Sequence, residues 1–97
     1  MISREEIISV LKENKPKLFG KYPISELALF GSFARNDYNE NSDIDILVDF
    51  HKPIDGFEYI RLAHEFEDIF NHKVDVVSRK AIKAQYLPFV ESSIIYV

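Results

Sequence analysis

The chain has 97 residues and 46% hydrophobic content, with 12 Lys and Arg set against 16 Asp and Glu for a net charge of −4. That is the composition of a folded domain rather than a disordered chain, and its acidity disfavours nucleic acid or an anionic membrane as the main partner. It contains no cysteine, which excludes a disulfide framework, a thiolate metal site and a cysteine nucleophile.

The opening residues lack the basic and then apolar regions of a signal peptide, and no apolar run approaches the roughly 20 residues of a membrane span. A single cytoplasmic domain over residues 1–97 is therefore expected. Ser3 followed by Glu6 forms a capping box, opening a helix with apolar positions Ile7, Val10 and Leu11. Pro16 and the stretch Gly20–Pro23 interrupt its pattern, so the helix is expected to end between them. Leu27–Phe30 reads as a short buried strand stopped at Gly31, and residues 37–42 as a polar loop. Asp43–Phe50 alternates strictly: Ile44, Ile46, Val48 and Phe50 share one face, while Asp43, Asp45, Leu47 and Asp49 share the other. After a turn at Lys52–Gly56, Tyr59, Leu62, Ala63, Phe66, Ile69 and Phe70 fall at helical spacing, closed by Asn71 and His72. Val74–Val77 reads as a third strand, with Asp75 and Val77 on the face opposite Val74 and Val76. Ser78 is expected to cap a short helix ended by Pro88, and Ser93–Val97 to form an edge strand. This order predicts an α/β layer, a small sheet with helices covering one face.

Aspartate is depleted from strands, yet the second strand carries two. Period two puts Asp43 and Asp45 on one face with Cβ atoms about 7 Å apart. Carboxylates that close repel one another unless a cation sits between them, and oxygen-only ligands of this kind suit Mg²⁺ or Mn²⁺. Taken alone the pair is as readily a solvated strand face. Asp75 adds a third acid on another strand; if the two strands are neighbours, all three converge on one surface, an arrangement that serves phosphoryl transfer. Gly31-Ser32 follows the first strand where Phe33-Ala34-Arg35 begins a helical turn. Glycine there admits close approach of backbone to a ligand, free N–H groups attract phosphate, and Arg35 can pair with an anion. His51, His64 and His72 are too scattered for a zinc site and read as surface or helix-end residues. Phe89, Ile94, Ile95 and Tyr96 form a candidate apolar docking surface near the C-terminus.

The linked motifs Gly31-Ser32-Phe33-Ala34-Arg35 and Ser42-Asp43-Ile44-Asp45-Ile46-Leu47-Val48, with Lys73-Val74-Asp75-Val76-Val77-Ser78-Arg79 beyond them, resemble the DNA polymerase β-like nucleotidyltransferase signature. Within that superfamily the chain is similar to the minimal nucleotidyltransferase (MNT) family of prokaryotes. The resemblance implies a polymerase β palm-like α+β fold, a small mixed sheet with helices packed on one face. It implies that Gly31 and Ser32, with Arg35 and Ser42 beside them, bind the nucleotide. Asp43 and Asp45 would hold two Mg²⁺ (or Mn²⁺) ions, and Asp75 would complete the catalytic and metal site. It further implies ATP as donor, and a HEPN-domain ribonuclease toxin as partner, neutralised by adenylylation of a tyrosine. Two other readings remain open: a non-catalytic antitoxin that masks its partner, and a nucleotidyltransferase of small molecules of the aminoglycoside type. Setting the three acids aside leaves 13 acids against 12 bases, so the acidity is largely that of the expected metal site.

Overall fold

The computed structural model describes residues 2–97. Helix α1 (Arg4–Lys21) starts where the capping box predicts, with the Glu6 N–H donating to Ser3 Oγ at 3.1 Å. It does not stop at Pro16 but runs through it to Lys21. A proline inside a helix lacks one hydrogen bond and costs about 3 kcal/mol, and here Leu11 and Leu18, both buried, hold the helix on either side of it. Strand β1 (Ile24–Phe30) begins earlier than expected. It passes at Gly31 into the five-residue α2 (Gly31–Arg35). Strand β2 (Ile44–Phe50) leads to α3 (Gly56–Phe70), capped by Asp55 Oδ1, which accepts from the Glu58 N–H at 2.8 Å. Asn71 ends α3 in the left-handed conformation, and β3 (Val74–Ser78) follows.

Downstream of β3 the expectation needs correcting. Ser78 caps nothing with its side chain; a single 3₁₀ turn at Arg79–Ala81 replaces the expected helix. Pro88 opens α4 (Leu87–Glu91) rather than ending a helix, consistent with its fixed φ and missing donor, which the first helical turn tolerates. The expected edge strand is present as β4 (Ile95–Tyr96).

The sheet has the order β3-β2-β1-β4, with β2 and β3 parallel and the other neighbours antiparallel. It is the mixed α/β sheet anticipated. Ile44, Ile46, Val48 and Phe50 of β2 pack with Leu27 and Leu29 of β1, Ile7, Leu11 and Leu18 of α1, and Leu62, Phe66 and Phe70 of α3 in one core. Each such side chain contributes roughly 1.5–3 kcal/mol by leaving water. Ala28 and Leu47 are also buried but face the other way, outside that core. Here Arg79 ties the C-terminal segment to the sheet: its guanidinium donates to Tyr96 Oη and Glu91 Oε1, both at 2.8 Å, and lies 3.8 Å from Glu26. One end of the second face is thus covered, and the acidic end is left open. Among the described residues, no helix is long and apolar enough to cross a membrane.

Candidate functional site

The parallel register of β2 and β3 places Asp45 directly beside Asp75, and just before the paired residues Asp43 lies beside Lys73. Neighbouring strands lie about 4.8 Å apart, so Asp45 and Asp75 project side by side. Asp43 precedes the first residue of β2, and its Oδ2 lies 3.6 Å from Lys73 Nζ. The three acids therefore share one surface as two neighbours in register and a third turned towards a lysine. Among the described residues, no three His, Asp or Glu side chains gather into a ready-made cage for one ion.

On its other side Asp45 meets β1, where Phe30 is its register partner. Gly31 follows with φ +74°, and a Cβ built there would overlap Asp45 Oδ2 and stand 2.9 Å from its Cγ. Only glycine satisfies both demands: the positive φ and the carboxylate lying against the backbone. The start of α2 and the Asp45 carboxylate are thereby fixed in mutual contact.

The electrostatics follow from this crowding. Asp45 is pushed up from 3.8 to about 6, first by burial and then by the charges of Asp75 and Asp43, with Arg35 acting the other way. A carboxylate this reluctant to ionise beside two others is a site that a divalent cation would relieve. The donor set, oxygen-only and anionic, fits Mg²⁺ or Mn²⁺.

The remaining expected residues fall around this centre. Ser32 lies in the first turn of α2, where no side chain caps the helix. Arg35 ends α2; its Nε donates to Asp37 Oδ2 at 3.1 Å on the surface. Ser42 folds the loop before β2, because its hydroxyl accepts from the Asn39 N–H at 3.0 Å and its own N–H donates to Asn39 O at 3.1 Å. Asp49 turns back to accept the Phe50 N–H and lies roughly 13 Å along the strand from Asp45, too far to join it. The apolar C-terminal patch is divided: Ile95 packs against the core, while Phe89 stays 75% exposed.

Three further residues lie near the site: Tyr59 and His72, outside the motifs, and Lys73, which opens the third of them. Tyr59 of α3 donates from Oη to the Val76 carbonyl, holding β3 next to Asp75; burial, then the Asp75 charge, raises its pKa. His72 and Lys73 sit beside Ser42 and Asp43 respectively. Helical spacing marked Tyr59 as core, but nothing in the spacing of residues thirty positions apart marks His72 or Lys73. Two clefts, of about 500 Å³ between 19–23 and 51–54 and about 270 Å³ against Phe50, Tyr59 and Lys80, include none of the three acids.

Known proteins share this fold. The nucleotidyltransferase domain family matches residues 4–96. The protein adenylyltransferase MntA of Thermococcus cleftensis is 33% identical over 97 residues, spanning 100% of this chain and 98% of its own. A solved chain assigned as a minimal nucleotidyltransferase superimposes with a TM-score of 0.82 at 25% identity, covering 99% of this chain and 97% of that one. A chain from the structure of a tri-AMPylated Shewanella oneidensis HEPN toxin in complex with MNT antitoxin shares the fold. Its TM-score is 0.61 at 22% identity, covering 96% of this chain and 66% of that one.

Proposed function

Because the chain belongs to the nucleotidyltransferase family and, within it, to the minimal nucleotidyltransferases, we propose that this enzyme transfers AMP from ATP to a tyrosine of a HEPN-type ribonuclease toxin. It would thereby serve as that toxin's antitoxin. The observation that carries the reading is Asp45, held in register with Asp75 and pressed against Gly31 where α2 begins. That contact brings a carboxylate pair and a turn of free N–H groups to one place. A protein acceptor and an adenylyl donor are supported by the name of the Thermococcus relative and by the AMPylated toxin beside the structural neighbour; the tyrosine rests on the family resemblance.

In this mechanism Ser32 Oγ and the N–H groups at the start of α2 hold the β- and γ-phosphates. Arg35 adds positive charge at the other end of that helix. Asp43 and Asp45 are the residues that would hold Mg²⁺ or Mn²⁺, with Asp75 completing the set. Bound there, the metal would neutralise the triphosphate and the charge developing at the α-phosphorus. The acceptor oxygen forms a bond to the α-phosphorus as the bond to the bridging oxygen breaks and pyrophosphate leaves. Asp75, exposed beside Asp45, takes the proton of the attacking hydroxyl.

The test is incubation with α-labelled ATP, Mg²⁺ and a HEPN-domain toxin. Label should appear on the toxin, and Asp43→Ala or Asp75→Ala should lower the rate by on the order of 10²–10⁴. Wild-type transfer in either variant would remove the site assignment. Masking by binding alone is the second reading; the exposed Phe57 and Phe89, 81% and 75% accessible, could serve docking under either reading. A stable complex that carries no label would select it.

A further inference from the structure

The loop leading into β2 is held by a side chain that belongs to none of the motifs. His72 Nε2 lies 2.8 Å from the carbonyl oxygen of Ser42, the residue before Asp43. A carbonyl only accepts, so Nε2 carries the hydrogen; the neutral Nε2–H tautomer and the imidazolium can both donate this bond. The same ring meets Phe33 edge-on, with centroids 6.4 Å apart at 87°, and Phe33 in turn stacks on Tyr38 at 4.3 Å. Phe33 is buried and directly follows Ser32. One imidazole therefore touches both margins of the 36–42 loop: the aromatic pair where it leaves α2, and the Ser42 carbonyl where it enters β2. The loop between them is polar apart from Tyr38, with Asn36, Asn39 and Asn41 among its residues, and has little apolar surface with which to anchor itself.

We propose that His72 is a positioning residue that sets Asp43 against Ser32, fixing the separation of the carboxylates from the turn that holds phosphate. This inference rests on the roles assigned above to Asp43 and Ser32. A backbone clamp adds order here because Asp43 precedes the first residue of β2: the Ile44 N–H donates to the Lys73 carbonyl at 3.0 Å on its C-terminal side, and His72 holds the Ser42 carbonyl on the other. Among the described residues the side-chain ion pair of Asp43 is with an exposed lysine, and surface pairs of that kind impose little order.

Three variants separate the two contacts. His72→Phe keeps an aromatic edge against Phe33 but has no donor; His72→Gln keeps a donor near the Nε2 position but no ring; His72→Ala removes both. Two measurements on the full chain are needed: amide exchange at Ser42 without metal, and Mn²⁺ binding by calorimetry. His72→Ala and His72→Phe should speed Ser42 exchange and weaken Mn²⁺ about tenfold, the lower end of the effect of losing a group that orients a ligand. His72→Gln should stay within about threefold of wild type in both, since it restores the donor. Wild-type exchange and Mn²⁺ affinity in His72→Phe, or a His72→Gln as impaired as His72→Ala, would overturn the proposal. If the wild-type protein binds no Mn²⁺, the metal role of Asp43 and Asp45 fails, and Ser42 exchange still decides for or against His72.

Discussion

Replacing Asp45 with asparagine should make the metal-free protein more stable while abolishing its chemistry. Asn has the shape of the carboxyl group without its charge, so the variant removes both the cost of burying that charge and the repulsion within the site. The displacement of Asp45 from 3.8 to about 6 corresponds to roughly 3 kcal/mol at about 1.4 kcal/mol per pKa unit. Asp45 is only half-buried, and solvent screening reduces this to about 1–1.5 kcal/mol. The folded protein binds the proton more tightly than the unfolded chain does. The favourable contribution is thus complete below pH 3.8 and lost as pH rises through about 6. At pH 7.5 the wild type carries the full cost and Asp45→Asn carries none, which for a domain of this length is a Tm higher by about 4–10 °C. Thermal melts in EDTA at pH 7.5 and pH 4 read this directly, and the gap should close at pH 4. Added Mg²⁺ should raise Tm at pH 7.5 for the wild type and scarcely for the variant, because a cation stabilises only the state that binds it. An Asp45→Asn protein melting at or below the wild type at pH 7.5 in EDTA would refute the claim that burial and the neighbouring Asp75 and Asp43 penalise the ionised carboxylate.

Gly31→Ala tests the contact from the other side. The left-handed φ costs a non-glycine residue about 1–2 kcal/mol, and the Cβ, overlapping Asp45 Oδ2, forces the carboxylate to swing away. Nucleotide transfer should fall about 10²-fold, as a displacement of about 1 Å can cause, and an unchanged rate would show that Asp45 need not lie where it does. Away from the site, Glu65 accepts from Lys21 Nζ at 2.8 Å and Tyr22 Oη at 2.6 Å. Burial pushes the Glu65 pKa up, but those hydrogen bonds outweigh it and hold the group below its ordinary 4.5; burial and the same contact lift Tyr22 to about 12. Glu65→Gln should cost about 1–2 kcal/mol at pH 7. The difference should vanish as pH falls through the folded pKa, which lies below 4.5, so melting curves that differ equally at pH 7 and pH 3 would contradict this account.

Local chemistry made much of this protein legible from its sequence. Ser3 and Glu6 announce a helix start because capping depends on residues three apart, and the alternation from Asp43 to Phe50 announces a strand because successive side chains point oppositely. The Asp43–Asp45 pair and Gly31 after a strand were legible for the same reason. Where local rules met a competing force, they misled. α1, with Leu11 and Leu18 buried on either side of Pro16, ends at Lys21, inside the Gly20–Pro23 stretch rather than before it, and Pro88 opens a helix where it was expected to end one. The candidate site was assembled by register. Asp75 stands beside Asp45, Lys73 beside Asp43 and His72 against Ser42 only because β3 pairs with β2 in parallel at one offset. A slip of one residue would turn Asp75 to the opposite face. That offset is chosen by the packing of Val74, Phe66 and Phe70 against the core, an energy shared among residues far apart in sequence and carried by no short motif.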